Sequence, residues 1–248
     1  MKIFVTGSTG FLGSNLIEKL KEYNEYEIYT YNSKSQIEEL DVYLKDCDFV
    51  FNFAAIHRPK SNSEFFEINC IFFQKIIDGL LKYKNYCPIL FTSSIQAGND
   101  TAYGQSKIIA ENMLRNYHTA TQGRGILYRL TNVFGKGARP NGHSVVATFC
   151  YNLQHDLPIY VSDPSHKMEF YYVEDVIDSF LERINEKKFD DNKIYYLRDD
   201  LKYIVTLGEL SDLLKKFKND KDSGVKTILN SEFEKKLYKT FVSYGEND

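Results

Sequence analysis

Three glycines at a spacing of three residues, Gly7, Gly10 and Gly13, directly follow a short apolar run at the start of the chain. The run, Lys2 to Val5, is typical of a buried strand, and Ser14 to Leu20 restores the periodicity of a helix. In such a unit the first glycine permits a tight turn, the second lets the main chain approach a pyrophosphate, and the third lets the helix pack closely. Unpaired N–H groups at the helix start favour phosphate. The pattern therefore predicts a dinucleotide site.

The order of the predicted elements indicates an α/β fold. Strands are predicted at Tyr26–Tyr31, Asp48–Ala55 and Pro88–Phe91, and helices at Gln36–Asp46, Phe65–Lys84, Val173–Glu186 and Leu207–Lys218, the last with a capping box from Thr206 to Glu209. This alternation argues for a Rossmann-type doubly wound parallel sheet. The glycine-rich stretch that begins at Gly135 predicts a boundary. We expect a dinucleotide-binding core over residues 1–135 and a small sugar-nucleotide-binding lobe over 136–248, within one compact domain.

Composition narrows the class of protein. The chain has 248 residues, is 43% hydrophobic and 26% charged, and carries a net charge of −3, so bulk charge gives no support for a nucleic-acid partner. We find no secretory signal and no apolar run of membrane-spanning length. The cysteines have neither metal-ligand nor paired spacing, so they predict reduced core thiols, no metal site and a cytoplasmic protein. They are Cys47, Cys70, Cys87 and Cys150.

The end of the second predicted strand bears on the choice of cofactor. NAD-specific sites usually place Asp or Glu there to bond the ribose hydroxyls. This chain has Asn32, Ser33 and Lys34, with no acid and one cation, which suits a 2′-phosphate. We expect NADPH, with NADH as the alternative if Lys34 is only a solvated loop lysine. Ala54 and Ala55, at the end of the third strand, leave room for a flat cofactor.

A second cluster predicts proton-transfer chemistry. Tyr103 and Lys107 share one helix face, because residues four apart on a helix are neighbours. A free tyrosine titrates near 10, and a nearby ammonium lowers the pKa of the phenol. Ser94, at the end of the preceding strand, can hydrogen-bond a substrate carbonyl, with Ser93 as the alternative serine. Together these side chains form a proton donor and an oxygen clamp for carbonyl–alcohol interconversion.

The glycine motif, Ser94, Tyr103 and Lys107 resemble those of the extended short-chain dehydrogenase/reductase family. Within it, the chain resembles the capsular-polysaccharide reductases that make the precursor of UDP-N-acetyl-L-fucosamine. This similarity covers nearly the whole chain, and the run from Ser144 to Cys150 is its most specific part. The other segments that carry it are 54–59, 93–97, 128–136, 139–143, 156–159, 172–176 and 235–238.

The resemblance implies an NADPH-dependent reduction of the 4-keto group of a UDP-linked 6-deoxy-N-acetylhexosamine, for surface polysaccharide synthesis. It makes Tyr103 the acid, Lys107 its modulator and ribose ligand, and Ser94 the carbonyl partner. It assigns the pyrophosphate to main-chain groups of Gly7, Gly10, Phe11, Leu12 and Gly13. It assigns the sugar nucleotide to Arg58, Gln96, Asn132, Arg139, Asn141 and Ser144.

The resemblance also carries expectations about partners. It implies a homodimer that forms through the Tyr103 helix. The relatives carry a C-terminal cupin domain that epimerises carbon 3. We expect that activity to be missing, removed or encoded as a separate cupin partner. His57 and the pair Gly142-His143 depart from the relatives near the sugar, which leaves the identity of the amino sugar open.

Two other functions stay open from the sequence. One is an NAD-retaining nucleotide-sugar epimerase or dehydratase. Dehydratases of this family place Asp-Glu after the strand-end hydroxyl residue, whereas here Ser94 is followed by Ile95 and Gln96. The other is a non-catalytic sensor that binds NADP on the same fold. The intact Ser94, Tyr103 and Lys107 weigh against a sensor.

Overall fold

The computed structural model describes residues 1–56, 59–122, 124–142, 144–186 and 194–245. Nine strands and nine α-helices are found in these ranges. In chain order they are β1 (Lys2–Thr6), α1 (Phe11–Leu20), β2 (Glu27–Tyr31), α2 (Ile37–Asp46), β3 (Phe49–Asn52), α3 (Asn62–Phe66), α4 (Phe72–Lys82), β4 (Ile89–Ser94), α5 (Ala102–Ala120), β5 (Gly125–Leu130), β6 (Asn132–Phe134), α6 (Val145–Gln154), β7 (Lys167–Tyr172), α7 (Val173–Leu181), β8 (Ile194–Tyr195), β9 (Lys202–Thr206), α8 (Leu207–Asp222) and α9 (Glu232–Ser243).

The larger sheet has six parallel strands in the order β2-β1-β3-β4-β5-β8. This order confirms the predicted Rossmann-type α/β fold. The carboxyl ends of β1, β3 and β4 lie side by side, with Thr6 opposite Asn52 and Asn52 opposite Phe91. In open parallel sheets ligands bind outside these ends. The glycine turn and the strand-end serines are therefore brought to one edge.

The chain divides into two compact units. The first comprises residues 1–130 and 177–197, so a stretch far along the chain returns to the nucleotide fold. Its central strands are apolar on both faces, as a covered parallel sheet requires. Ile3, Phe4 and Val5 of β1 and Phe49 to Phe51 of β3 are all buried.

The second unit comprises residues 131–176 and the chain from residue 198 onwards. It holds a three-stranded sheet in the order β6-β7-β9, in which β6 and β7 are parallel and β7 and β9 antiparallel. An aromatic cluster forms part of its core, where the ring of Phe134 contacts those of Phe170, Tyr172, Tyr203 and Phe233. The predicted capping box holds α8: Thr206 Oγ1 accepts from the Glu209 N–H and Glu209 Oε2 from the Thr206 N–H.

Three predicted helices differ in extent from those found, and one of them, α8, runs to Asp222 instead of ending at Lys218. The single helix predicted over Phe65–Lys84 is α3, a π-helical turn at Glu67–Ile71, and α4. The turn carries the buried Asn69, and π-helical turns interrupt helices where a side chain has another task. The helix predicted to reach Glu186 ends at Leu181. Beyond that point the N–H groups of Arg183 and Ile184 bond carbonyls only three residues back, which tightens the chain into turns.

The four cysteines are buried and free of disulfides. Within the described ranges, no helix has the length and apolar character needed to span a membrane.

Candidate active site

The turn between β1 and α1 is shaped for close approach of a phosphate chain. Gly7 has a φ of +64°, and a Cβ there would lie 2.7 Å from the carbonyl carbon of Phe53. A Cβ on Gly13 would lie 2.3 Å from the Gly7 oxygen. Gly10 has no side chain to cap α1, and the first turn of that helix, which begins at Phe11 and Leu12, carries no acid. The turn therefore presents uncapped N–H groups to an anion, and these residues fit a dinucleotide pyrophosphate.

A cavity of about 380 Å³ opens where β2 ends. Asn32 organises it: the Asn32 Nδ2 donates to Ser8 Oγ at 3.4 Å, and the Lys34 N–H donates to Asn32 Oδ1 at 2.9 Å. The Glu39 carboxylate accepts the Gln36 N–H at 3.0 Å, while the Lys34 side chain is exposed. The lining residues are Thr9, Asn32, Ser33, Lys34, Ser35, Gln36 and Glu39.

The end of β3 is fastened to the end of β1. Thr6 Oγ1 donates to Asn52 Oδ1 at 2.6 Å and accepts the Ala54 N–H at 3.2 Å. Ala54 and Ala55 are only half-buried. These two small residues therefore lie next to the glycine turn, whose Gly7 approaches the Phe53–Ala54 main chain.

Tyr103 and Lys107 begin the long helix α5, whose start is capped by Thr101 Oγ1, the acceptor of the Gly104 N–H at 3.0 Å. The Nζ atom of Lys107 donates to the Thr92 carbonyl oxygen at 3.1 Å and lies over the Phe91 and Tyr103 rings, 5.1 and 5.8 Å from their centroids. The helix face thus meets the end of β4, where Ser94 stands.

Burial shapes the acid–base properties of the pair. Burial raises the pKa of the Tyr103 phenol, and a hydrogen bond with Ser94 opposes that rise. Burial lowers the pKa of Lys107 to about 8, against the smaller opposing charges of Cys70 and Glu111. At neutral pH the phenol therefore keeps its proton and the ammonium is mostly charged. This combination suits a proton donor better than a base.

The structure separates the two candidate serines. Ser93 is buried, and its hydroxyl donates to Glu111 Oε1 at 2.6 Å. Ser94 is half-buried; its Oγ accepts the Gln96 N–H at 3.1 Å and it interacts with Tyr103. Of the two hydroxyls, Ser94 is the one that faces the phenol.

Three supporting residues were missed by the sequence analysis. Glu111 accepts two hydrogen bonds from Arg129, at 2.8 and 2.7 Å. Asn69 accepts the Ile56 N–H at 3.1 Å and donates to Ser106 Oγ at 3.0 Å. Glu111 could have been found from its position, because it continues the four-residue spacing of Tyr103 and Lys107. The sequence carries no comparable signal for Asn69 or Arg129.

Most predicted sugar contacts lie in the second unit. Asn132 donates to the Glu169 carbonyl at 3.1 Å, the Asn141 N–H donates to Thr148 Oγ1 at 3.0 Å, and Ser144 Oγ accepts the Ala147 N–H at 3.2 Å. Arg139 is exposed. Arg58 is outside the described residues, as are His57 and His143. Gln96 is exposed in the first unit and contacts Ser94 through its N–H.

Comparison with known proteins identifies relatives of the whole chain. A reductase from Pseudomonas aeruginosa, named UDP-2-acetamido-2,6-beta-L-arabino-hexul-4-ose reductase, is 33% identical over 248 residues, which are 100% of this chain and 66% of that protein. The crystal structure of the capsular polysaccharide assembling protein CapF from Staphylococcus aureus is 34% identical, with a TM-score of 0.86 over 98% of this chain and 66% of that one. The chain thus spans about two thirds of each relative.

More distant structures share the fold. The Bordetella bronchiseptica enzyme WbmF in complex with NADH has a TM-score of 0.81 at 17% identity, over 99% of this chain and 92% of that one. The model of the NAD dependent epimerase/dehydratase family matches residues 3–197. The chain therefore belongs to the NAD dependent epimerase/dehydratase family, among the extended short-chain dehydrogenases/reductases, which are NAD(P)-dependent enzymes.

Proposed function

We propose that this protein reduces the 4-keto group of a UDP-linked 6-deoxy-N-acetylhexosamine with NADPH, in the synthesis of a surface polysaccharide. The observation that carries the proposal is the meeting of Tyr103 and Lys107 with Ser94 at the carboxyl end of β4. The name of the Pseudomonas aeruginosa relative, a UDP-hexulose reductase, supports the substrate class.

Bound NADPH supplies the hydride for carbon 4. Tyr103 donates its phenolic proton to the oxygen that gains charge, a role typically worth about 10²–10⁴ in rate. Ser94 donates a hydrogen bond to the same oxygen and stabilises its developing charge. Lys107, charged at neutral pH, stabilises the phenolate that remains on Tyr103.

The residues that hold the cofactor lie at the carboxyl ends of the strands of the larger sheet. Main-chain N–H groups from Phe11 to Gly13 hold the pyrophosphate, while the Gly10 N–H donates to the Gly7 carbonyl at 2.9 Å and fixes the turn. Ser33 and Lys34, in the cavity at the end of β2, hold the 2′-phosphate. Glu39 also lines that cavity, but its carboxylate is already engaged by the Gln36 N–H. The lack of an acid at the end of β2 favours NADPH over NADH.

The proposal extends to the rest of the chain. The second unit, to which Asn132 belongs, binds the sugar nucleotide, and Arg139 engages its diphosphate, since a guanidinium fork matches phosphate oxygens. The protein works in the cytoplasm as a homodimer, and a carbon-3 epimerase activity supplies or consumes its sugar.

The first test is NADPH oxidation, followed by absorbance, with UDP-N-acetylglucosamine that a 4,6-dehydratase has converted to the keto-sugar. One arm adds a carbon-3 epimerase and the other does not. We expect oxidation that requires the keto-sugar, and the more active arm identifies the substrate epimer.

Tyr103→Phe tests the role of the proton donor in the same assay. We expect it to lower kcat by about 10²-fold or more while NADPH still binds. Tyr86→Phe is the matched control, because Tyr86 is 50% exposed. Tight NADPH binding without turnover of either sugar would contradict the proposal and favour a sensor. Release of an epimerised or dehydrated sugar without net NADPH consumption would favour the NAD-retaining enzymes.

A further inference from the structure

A fully buried carboxylate lies one helical turn beyond Lys107. Glu111 has an exposed fraction of 0%. Its Oε1 atom accepts hydrogen bonds from Ser93 Oγ at 2.6 Å and Arg129 Nε at 2.8 Å, and its Oε2 atom accepts from Arg129 Nη2 at 2.7 Å. Taking a charge out of water is costly unless it is paired and hydrogen-bonded, and here both oxygens are satisfied.

This carboxylate connects three elements that build the candidate active site. It belongs to α5, one turn beyond Lys107 and two turns beyond Tyr103. Through Ser93 it holds the end of β4, directly before Ser94, and through Arg129 it holds β5, where Arg129 is paired with Ser93 in the sheet. A residue with these contacts fixes the end of β4 relative to the face of α5.

The charges around Lys107 are few. Cys70, from the π-helical turn, and Glu111, from α5, both favour its ammonium form. Burial raises the pKa of the Cys70 thiol, so the thiol is uncharged at neutral pH. Tyr103 lies beside Lys107 on α5, and β4 contributes the uncharged Thr92 carbonyl. Arg129 of β5 forms an ion pair with Glu111 and partly neutralises the charge of its carboxylate. Glu111 is therefore the one carboxylate among these groups.

We propose that Glu111 is a positioning residue: from one helical turn beyond Lys107 it holds the Tyr103–Lys107 face of α5 against the strand end that carries Ser93 and Ser94, and it sets the charge environment of Lys107. The inference rests on the proposed function, because a charged Lys107 matters through the phenolate that Tyr103 leaves. Glu111 affects the reaction through Lys107 and Ser93. Arg129 holds the Glu111 carboxylate in place by a bidentate pair of hydrogen bonds.

A purely structural ion pair would behave differently. The loss of a pair that only tied β5 to α5, with no electrostatic contact with Lys107, would lower stability and leave the protonation of Lys107 unchanged. The charge on Glu111 raises the pKa of Lys107, so replacing Glu111 by an uncharged amide must lower that pKa further. The titration of Lys107 therefore separates the two roles.

The experiment titrates Lys107 directly, by NMR of ¹⁵Nζ-labelled lysine in the protein without ligands. The Lys107 signal is assigned by its absence in Lys107→Met. In Glu111→Gln we expect the pKa of Lys107 to fall by about half a unit or more, about a threefold change in proton affinity. The alkaline limb of the pH profile of kcat moves to lower pH by a similar amount, while the KM for the keto-sugar stays within about twofold.

Two further variants make the result decisive. Glu111→Gln leaves Arg129 unpaired in a half-buried site and can fail to fold, so Glu111→Gln with Arg129→Met removes both charges together. We expect the pKa of Lys107 to fall less in this double variant than in Glu111→Gln, because Arg129 partly neutralises Glu111. Glu186→Gln is the matched control, because it breaks another Arg–Glu pair of the first unit, with Arg183 at 2.7 Å, and leaves the titration of Lys107 unchanged.

The outcomes distinguish this inference from the proposed function. A Lys107 pKa equal to that of the wild type in folded Glu111→Gln, or one above that of the wild type in the folded double variant, would overturn the inference. A fall in that pKa supports it, with or without turnover, because the titration requires no sugar. Absence of turnover in the wild-type protein would instead count against the proposed function alone.

Discussion

The ammonium group of Lys107 donates a hydrogen bond to the carbonyl oxygen of Thr92 at 3.1 Å and is almost fully buried. The helix α5 is thereby fastened to the strand that ends in Ser93 and Ser94. A lysine so deeply placed is destabilising while it is charged, since burial lowers its pKa. The structure thus keeps a cation where an ordinary core would place an apolar side chain.

Lys107→Met is therefore expected to stabilise the fold and abolish turnover. Burial lowers the pKa of Lys107 from 10.5 to about 8, so the unfolded chain binds more protons than the folded one. We expect an unfolding free energy higher by about 1–2 kcal/mol at pH 7, after the loss of the Thr92 hydrogen bond.

The pH dependence of this gain has a definite sign. The cost of the charged lysine is fully present below pH 8 and vanishes as the pH rises towards 10.5. The advantage of Lys107→Met in urea unfolding should therefore shrink over that window. An advantage that grows with pH would contradict the assigned direction of the pKa shift.

Gly13→Ala is expected to damage the turn between β1 and α1. Its new Cβ would lie 2.3 Å from the Gly7 oxygen, a distance that requires main-chain movement. We expect a loss of about 1–3 kcal/mol in unfolding free energy, as for other overpacked sites, together with loss of NADPH binding. Gly10→Ala is the comparison, because its Cβ would meet the Gly7 oxygen at 3.1 Å. It should weaken NADPH binding more than stability. Equal destabilisation by both would show that contact with Gly7 does not decide the effect.

Lys34→Ala tests the preference for the phosphorylated cofactor. Removing the cation from the cavity at the end of β2 should raise the Kd for NADPH roughly tenfold, the value of one charge-assisted contact. The Kd for NADH should change little. Fluorescence titration with both cofactors measures the ratio. Lys21→Ala, an exposed lysine outside that cavity, is the control and should affect neither. An equal loss of affinity for both cofactors would show that Lys34 contacts a part of the cofactor that NADPH and NADH share.

Asn69→Leu tests the π-helical turn. The side chain of Asn69 is 2% exposed; it accepts the Ile56 N–H and donates to Ser106 Oγ. Its loss leaves the Ile56 N–H without that acceptor, while the Ser106 hydroxyl keeps its bond to the Tyr103 carbonyl. We expect the free energy of unfolding to fall by about 1–3 kcal/mol, measured by urea unfolding. Asn112→Leu, on the exposed face of α5, should change it by about 0.5 kcal/mol at most. A similar small change in Asn69→Leu would show that the turn is held by other contacts.

Much of the fold follows from local patterns. The apolar runs at Ile3–Val5 and Phe49–Phe51 predict buried strands because a parallel sheet covered on both faces excludes water from every side chain. The glycine spacing predicts the turn of Gly7, since only glycine accepts its φ without strain and only hydrogen fits beside Phe53. The four-residue spacing of Tyr103 and Lys107 predicts their common face. These are properties of neighbouring residues, and the sequence by itself determined them.

The tertiary structure decided what depends on distant residues. The sequence predicts Ser94 as the carbonyl partner but leaves Ser93 as an alternative. In the structure the buried Ser93 is engaged by Glu111, whereas Ser94 is half-buried and interacts with Tyr103. The helix predicted from Phe65 is divided into α3, the π-helical turn and α4. Asn69 in that turn bonds Ile56 and Ser106, which are far from it along the chain. Arg129 bonds Glu111 because β5 lies beside β4 in the sheet, a pairing that the local sequence does not reveal. Hydrogen bonds between elements depend on the whole fold, so the local periodicity of the sequence does not predict them.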